Sequence, residues 1–365
     1  MINSIEIDGY RGFDRFEMND LGLVNLLVGG NNSGKTSVLE AIYLLTSKGD
    51  PMSIWQLLWR RGEHIPDERP REVQPEFDIC HLFNGHDLQI GSKISLSAKN
   101  QSPKRTIELE IAEPTAKDRD KIRLEGSSAR FPLVLHIKGS QVPADTIIPI
   151  SSKGGIPTEA FEMPRRLRNR IIDDAGRTQF ITTDSLNARA LIGMWDKIAL
   201  TPSEELVLKA IRFLDPSIER IASHSSGDFF NTSRGGFKIK QKGRELPIPI
   251  GSMGDGMWRM LALAIAISRS KDGVLLVDEI DTGLHYSVMA EMWKLLYNAA
   301  IQLNVQIFAT THSSDCVNSL AKICNDGQDI QHRVTLNRIE SGKKKSIPYT
   351  EGEIKMAAER KIEVR

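Results

Sequence analysis

One segment limits the possible folds of this chain more than any other: a glycine-rich turn between an apolar segment and a helical one. The turn reads GGNNSGKT over residues 29–36 and fits G-x-x-x-x-G-K-[ST] without exception. Residues 23–28 before it predict a strand, and the spacing of Val38, Ile42 and Leu45 predicts a helix after it. A strand, a glycine turn and a helix at the start of a chain favour an α/β fold.

The same turn predicts a nucleotide phosphate site. Gly29 and Gly34 permit backbone conformations closed to other residues, so N–H groups can face inward around phosphates at the positive end of a helix. We expect Lys35 to reach the β- and γ-phosphates and the Thr36 hydroxyl to be a ligand of Mg²⁺. The expected nucleotide-binding residues here are Gly29, Gly30, Asn31, Asn32, Ser33, Gly34, Lys35, Thr36 and Ser37.

Two further apolar segments end in polar residues and predict the rest of a hydrolytic site. The segment 274–277 is followed by Asp278, an expected Mg²⁺ ligand, and by Glu279, expected to orient or deprotonate the attacking water. The segment 305–310 is followed by Thr311 and His312, and His312 is expected to contact the γ-phosphate or the water. Glu279 and His312 are therefore the candidate catalytic residues. The alternative for the acidic pair is a strand that ends in solvated carboxylates.

A second glycine-rich turn, GSMGDGMWR over residues 251–259, precedes an apolar helix predicted from about 257 to 268. Ser252 lies 26 residues before Asp278. Serine and glycine at a helix N-terminus form an anion site. Because the chain already has one such site at Lys35, this second one is expected to bind the nucleotide of a neighbouring copy. The alternative is an ordinary helix cap.

Composition excludes several classes of protein. The formal net charge is +1, so nucleic acid cannot be held by bulk positive charge, although PRRLRNR at 164–170 is a local basic cluster. The three cysteines, Cys80, Cys316 and Cys324, are odd in number and form no C-x-x-C pair, which favours a reducing, cytoplasmic setting and argues against a structural metal. The longest apolar run has eight residues, against roughly 20 for a membrane-spanning helix.

The expected fold class is α/β, with a mixed sheet around the phosphate turn, an antiparallel β lobe, a helical insertion and no long coiled coil. The segments between 76 and 150 are strand-like, those between 158 and 225 are mostly helix-like, and a hairpin is predicted at 236–250. We expect one domain over 1–365, divided into 1–150, 151–240, 241–340 and a tail at 341–365. The tail, which contains a short predicted helix, could dock a partner or pack on its own domain.

The order of these motifs resembles the ABC ATPase superfamily, and within it the SMC/RecF/OLD group, also classed as AAA15/AAA21. The resemblance covers both ends of the chain and is carried by YRGF at 10–13, GGNNSGKTSVLEA at 29–41, GSMGDGMWR at 251–259, LLVDEIDTGLH at 275–285 and FATTHS at 308–313. It implies ATP and Mg²⁺ as ligands and a dimer or higher homo-oligomer. It also implies that Ser252 and Gly254 touch the γ-phosphate of the partner copy, that Asp281 couples the two sites, and that His312 is the switch histidine.

This sequence departs from the group's pattern in two ways. The signature is SMGDG instead of LSGGQ, and the glutamine of the Q-loop has only Gln74 and Gln141 as candidates. Ser252 follows Thr36 by 216 positions, which leaves no room for the long coiled coil of an SMC protein. Only 52 residues follow Ser313, too few for the Toprim nuclease domain of OLD nucleases.

The resemblance therefore implies a stand-alone ATPase that regulates a separate effector, of Toprim nuclease type, in bacterial anti-phage defence. The alternative is a RecF-like ATPase that binds DNA during repair or maintenance, which the basic cluster at 164–170 would support. A GTPase is disfavoured because no N-K-x-D motif occurs, and a transporter subunit is disfavoured by the signature and the ends of the chain. No membrane contact is expected.

Overall fold

The computed structural model describes residues 1–65, 76–100, 104–124, 131–143, 146–161, 177–182, 188–223, 236–324 and 333–364. Gln74 and the basic cluster at 164–170 lie outside these ranges. The chain forms two compact units. The first consists of Met1–Asp20, Thr36–Ala175 and Glu340–Ser346, and the second of Leu21–Lys35, Gly176–Ile339 and Ile347–Arg365. The domain boundaries expected from the sequence stay a prediction.

The described strands are β1 (Ile2–Tyr10), β2 (Phe13–Met18), β3 (Val24–Val28), β4 (Glu76–Asp78), β5 (Lys93–Asn100), β6 (Arg105–Ala112), β7 (Leu133–Gly139), β8 (Thr146–Ile150), β9 (Gly155–Pro157), β10 (Thr178–Ile181), β11 (Ile218–Ser223), β12 (Phe237–Gln241), β13 (Ile248–Pro249), β14 (Val274–Val277), β15 (Gln306–Thr310), β16 (Val334–Arg338) and β17 (Ile347–Tyr349). The described α-helices are α1 (Lys35–Thr46), α2 (Pro51–Arg61), α3 (Ala116–Leu124), α4 (Ala188–Trp195), α5 (Pro202–Leu214), α6 (Asp255–Arg269), α7 (Tyr286–Leu303), α8 (Ser314–Ile323) and α9 (Glu351–Arg360).

The first unit contains an antiparallel sheet in the order β2-β1-β5-β6-β7-β8. Its strands alternate between buried apolar and more exposed polar residues, as in β6, where Ile107, Leu109 and Ile111 are buried. This period of two is typical of a sheet with one face on a core. The expected antiparallel β lobe is present in this unit.

The second unit contains a mixed sheet in the order β10-β14-β15-β3-β16-β17, in which only the β16–β17 pair is antiparallel. Every residue of β3, β14 and β15 is buried. Because neither face of these strands reaches water, their sequences are apolar runs without alternation. The mixed sheet predicted around the phosphate turn is confirmed. The strand β10 at its edge was not anticipated in a region read as mostly helical.

Helix α6 joins two hydrophobic cores of the second unit. Met260, Leu263 and Ile267 pack in the core beneath the mixed sheet, together with residues of α7, α8 and α9. Trp258 and Leu261 pack in a second core with α4, α5, β11 and β12. A helix buried on all sides is apolar all round, which explains why its sequence has no polar stripe.

The C-terminal helix α9 begins with a capping box, in which Thr350 and Glu353 each bond the other's backbone N–H. Ile354, Ala357 and Val364 belong to the core under the mixed sheet. The tail therefore packs on its own unit, one of the two alternatives considered for it. In the described part of the chain, the longest helix is α7 with 18 residues, and no helix is both long and apolar enough to cross a bilayer.

Candidate functional site

Three adjacent parallel strands of the second unit end at the same sheet edge. The order β14-β15-β3 brings the ends of these strands side by side, with Val277 paired to Ala309 and Thr310 paired to Leu27. The acidic pair, the histidine segment and the glycine-rich turn follow directly after them. Ligands of open α/β sheets bind at the carboxyl ends of such strands.

The glycine-rich turn needs glycine at two positions. Gly29 has φ 143°, and a Cβ atom there would lie 2.1 Å from the carbonyl oxygen of Ile339. Gly34 has φ 97°, and Asn32 also has a left-handed backbone, at φ 57°. The turn thus adopts the conformations expected of a phosphate-binding loop.

Lys35 at the end of this turn is only 5 % exposed, and its ammonium is held by the turn itself. Nζ donates to the carbonyl oxygens of Gly29 at 2.9 Å and Gly30 at 2.8 Å. Burial lowers the pKa of Lys35 from its ordinary value, while the carboxylates of Asp278 and Glu279 act in the opposite direction. An ammonium has three N–H donors, so one remains for a phosphate oxygen.

The hydroxyl of Ser33 is a buried polar atom for which the described residues offer no hydrogen-bond partner. Oγ would lie 3.0 Å from a Cβ atom placed on Gly29, so it lies close to the first glycine of the turn. Buried polar groups are normally hydrogen-bonded. A phosphate oxygen in the turn would satisfy this hydroxyl, which fits the expected ligand.

Thr310 organises the acidic pair, and sequence reasoning did not single it out. Its hydroxyl donates to Oδ1 of Asp278 at 2.6 Å and accepts from the backbone N–H of Glu279 at 2.8 Å. Glu279 has a left-handed backbone at φ 46°, and its Oε2 accepts from the hydroxyl of Thr282 at 3.3 Å. Thr310 is the last residue of β15. The sequence therefore offered one signal for its role, a polar side chain at the end of a buried strand.

The segment after β15 also forms a hydrogen bond with Asp281, which follows β14 in the chain. The Thr311 hydroxyl donates to Oδ1 of Asp281 at 2.6 Å and accepts from the backbone N–H of Ser313 at 2.9 Å. His312, which lies between Thr311 and Ser313 in the sequence, is exposed. The structure therefore joins Asp281 to Thr311, the residue before His312, whereas the roles expected for Asp281 and His312 stay predictions.

The second glycine-rich turn differs in detail from the expectation. Helix α6 begins at Asp255 with Gly254 as its N-cap, and Ser252 lies in the short 3-10 turn Ile250–Met253 before it. Gly254 has φ 89°, and a Cβ atom there would meet open space. Ser252 and Gly254 are both exposed. The glycine, and not the serine, is thus the residue at the helix N-terminus, and the γ-phosphate contacts of both stay predictions.

Arg259, in the second turn of α6, contacts the acidic segment directly and is the main residue that sequence reasoning missed. It is only 2 % exposed, and Nη2 donates to the carbonyl oxygens of Asp278 at 3.1 Å and Glu279 at 2.8 Å. Burial lowers its pKa to about 10, against the opposing effect of nearby carboxylates, first of all Asp281. The sequence offered one signal for the importance of Arg259: it is the single charged residue in the apolar segment 257–268.

The expected metal-binding residues, Thr36 and Asp278, supply a hydroxyl and a carboxylate. Mg²⁺ prefers such oxygen ligands, often one or two protein oxygens completed by phosphates and water. Thr36 is the second residue of α1 and follows Lys35 directly. The donor set therefore fits Mg²⁺ and not a soft metal.

Several known proteins are similar to this chain. The profile of the AAA_21 family, described as "AAA domain, putative AbiEii toxin, Type IV TA system", matches residues 24–315. A Helicobacter pylori protein named ATP/GTP phosphatase is 24% identical over 379 residues, which cover 96% of this chain and 95% of that protein. An uncharacterized Methanocaldococcus jannaschii protein is 36% identical over 110 residues, covering 28% of this chain and 49% of that protein.

Among solved structures, an SMC head bound to the C-terminal winged-helix domain of ScpA is similar in fold. Its TM-score is 0.52 at 12% sequence identity, covering 96% of this chain and 97% of that one. The predicted fold class is thereby confirmed as a mixed α/β fold like that of SMC heads, with antiparallel and mixed sheets.

Proposed function

The chain belongs to the AAA_21 family, and from this premise we propose that it is an ATPase whose hydrolytic site is completed by a second copy of the same chain. The prediction of a nucleotide-hydrolysing enzyme is confirmed by this membership and by the full-length likeness to the Helicobacter pylori protein. The observation that carries the proposal is the shared sheet edge, where Lys35, Asp278 and Glu279 follow neighbouring parallel strands.

The proposed chemistry assigns one task to each group at this edge. Lys35 and the N–H groups of the glycine turn bind the β- and γ-phosphates. Thr36 and Asp278 would hold Mg²⁺, which when bound would neutralise charge on the phosphates. Glu279 orients the attacking water and accepts its proton. The hydrogen bond from Thr310 to Asp278 supports this assignment, because it fixes the carboxylate next to Glu279.

The proposed sharing of the site rests on the second glycine turn. Gly254 caps a helix of 15 residues, and its N-terminus is exposed, with open space where a side chain would be. Backbone N–H groups at a helix N-terminus attract phosphate. In a dimer, this end of α6 would meet the γ-phosphate that Lys35 of the other copy binds, with Ser252 and Asp281 beside it.

The proposed biological role is control of a separate effector, of Toprim nuclease type, in anti-phage defence. The family description, with its toxin and toxin–antitoxin system, supports a role in a two-component bacterial system. ATP-driven association and dissociation of two copies would give such an effector a switch. The described residues contain no observation that favours the DNA-binding alternative.

The ATPase proposal is tested by phosphate release from ATP and from GTP in the presence of Mg²⁺. We expect wild type to hydrolyse ATP, the Glu279→Gln variant to bind ATP with little turnover, and the Glu291→Gln variant, changed on α7, to behave as wild type. Equal turnover of Glu279→Gln and wild type would refute the role of Glu279. A preference for GTP would correct the substrate.

The effector proposal needs a separate experiment. The tagged chain would be used to capture the products of neighbouring genes, with and without ATP. We expect a nuclease to be retained in only one of the two nucleotide conditions. Capture of no neighbour in either condition would contradict the effector role.

A further inference from the structure

The guanidinium of Arg259 is an unusual group to find inside α6. Residues 257–268 are all buried, and Arg259 is the one charged residue among them. Its Nε and Nη1 atoms are buried and have no hydrogen-bond partner among the described residues. A buried, incompletely paired cation destabilises a fold, and apolar residues of similar volume often serve stability as well or better. Stability therefore does not explain this arginine.

The two hydrogen bonds that Arg259 does make converge on the backbone of the acidic pair. Nη2 donates to the carbonyl oxygens of Asp278 and Glu279, on either side of the Glu279 Cα atom. Glu279 has a left-handed backbone at φ 46°, which is strained for a residue with a side chain. Arg259 thus clamps the peptide units that aim the Glu279 carboxylate.

The first turn of the same helix touches the segment after Asp281. A Cβ atom on Gly283 would lie 3.4 Å from Cβ of Asp255, and one on Gly256 would lie 3.5 Å from the carbonyl oxygen of Gly283. Gly283 also has φ 77°, so its conformation favours glycine. The exposed N-terminus of α6 and the acidic segment are therefore in contact at two places, the first turn and Arg259.

We propose that Arg259 is a positioning residue that transmits the state of the α6 N-terminus to Glu279 of the same chain. This inference rests on the proposed function, because the state in question is the binding of the partner copy's γ-phosphate at Gly254. When α6 shifts on that contact, Arg259 moves the carbonyl oxygens of Asp278 and Glu279 with it and brings the Glu279 carboxylate into its working position. Each copy would then hydrolyse its own ATP faster once it has bound the nucleotide of the other.

The decisive variant is Arg259→Met, which keeps the volume and removes both hydrogen bonds. We expect its melting temperature and ATP dissociation constant to stay close to wild type, while kcat falls roughly 10- to 100-fold, as for a small misplacement of a catalytic group. Arg259→Lys should recover part of kcat, since its ammonium can still donate to a carbonyl oxygen. Arg269→Met, at the far end of α6, is the matched control and should retain wild-type kcat.

A double variant separates positioning from general damage. In the Glu279→Gln background, we expect Arg259→Met to cause no further loss of turnover, because the group that it positions is already disabled. An equal loss in both backgrounds would overturn the inference.

Amide hydrogen exchange tests the same inference without any turnover. We expect peptides that cover residues 278–284 to exchange faster in Arg259→Met than in wild type and in Arg269→Met. Unchanged exchange in this segment would overturn the positioning role. A wild type that hydrolyses no nucleotide would instead overturn the proposed function, and the exchange comparison would still decide the role of Arg259.

Discussion

At the scale of single residues, the site consists of a few side chains held by specific partners, and only some of these could be predicted. Lys35, Asp278 and Glu279 stood out because their chemistry and spacing match phosphate binding and hydrolysis. Thr310 and Arg259 did not, because their importance comes from contacts with residues distant in sequence. The helix cap at Gly254, two residues after Ser252, depends on backbone angles that residue types alone do not determine.

The first prediction concerns Lys35. Replacing Lys35 by Ala removes the buried cation that is proposed to bind the phosphates, so the ATP dissociation constant should rise by at least roughly a hundredfold. Isothermal calorimetry on the purified variant checks this, with Lys271→Ala, an exposed change, as the control. An unchanged affinity would contradict the role of Lys35.

The second prediction concerns Thr310, which is 1 % exposed. Thr310→Val keeps the shape of the side chain but leaves Oδ1 of Asp278 and the N–H of Glu279 without this partner. The free energy of unfolding should fall by roughly 2 to 4 kcal/mol, because two polar groups lose a buried hydrogen bond. Urea denaturation measures this loss. Thr310→Ser keeps the hydroxyl and should recover most of the stability; a loss equal to that of Thr310→Val would refute the hydrogen-bond explanation.

At the scale of elements, the sequence predicted most helices and strands near the phosphate turn, because each has its own apolar period and polar end. Helix α6 differs from its predicted span, 257–268, by two residues or fewer at each end. The order β14-β15-β3 and the pairing of β10 with β14 could not be read from local patterns, because parallel neighbours are set by tertiary packing. The four-residue β10 was too short to give a clear period.

An ion-pair network within the first unit joins three of its elements. Glu40 of α1 is 3 % exposed, and its carboxylate contacts Arg11 Nε after β1 at 2.6 Å and Arg61 Nε of α2 at 2.7 Å. The Tyr10 hydroxyl donates to the same carboxylate at 3.2 Å, and Arg11 also pairs with Glu63 at 2.7 Å. The motif YRGF thus has a structural role in holding β1 to α1.

The third prediction follows from this network. Glu40→Gln removes the shared negative charge and leaves the buried guanidinium of Arg11 poorly compensated, so the free energy of unfolding should fall by roughly 3 to 5 kcal/mol. Circular dichroism during urea denaturation measures it. Glu6→Gln, which breaks the exposed pair with Lys99, should cost less than about 1 kcal/mol. Similar losses in the two variants would show that burial of the network contributes nothing.

At the scale of the whole molecule, family membership and fold agree with the motif order, whereas the assembly remains a proposal. Two features point to a shared site: one glycine turn is proposed to bind the chain's own nucleotide, and a second, exposed turn caps α6. Neither the partner nor the trigger could be predicted from composition, since binding depends on specific surfaces and not on the fold.

The fourth prediction concerns association of the chain. Glu279→Gln should bind ATP, turn it over slowly and therefore accumulate in the nucleotide-bound dimer. Light scattering should show a larger mass with ATP and Mg²⁺ than with ADP. A mass that is the same with either nucleotide would argue against ATP-dependent dimers.

The most direct test of the shared site mixes two inactive variants. Lys35→Ala disables the phosphate turn, and Ser252→Arg places a long cation at the exposed turn before α6, so each variant alone should be inactive. In a mixed dimer, one site combines the intact Lys35 of one copy with the intact Ser252 of the other. Random mixing should restore a measurable rate of at most about a quarter of wild type, because half of the dimers are mixed and each has one intact site. The rate should fall below a quarter because the changed turn of the Ser252→Arg copy no longer helps to position Glu279 of that copy. ATP hydrolysis by the mixture that does not exceed the sum of the two variants would contradict a site shared between copies.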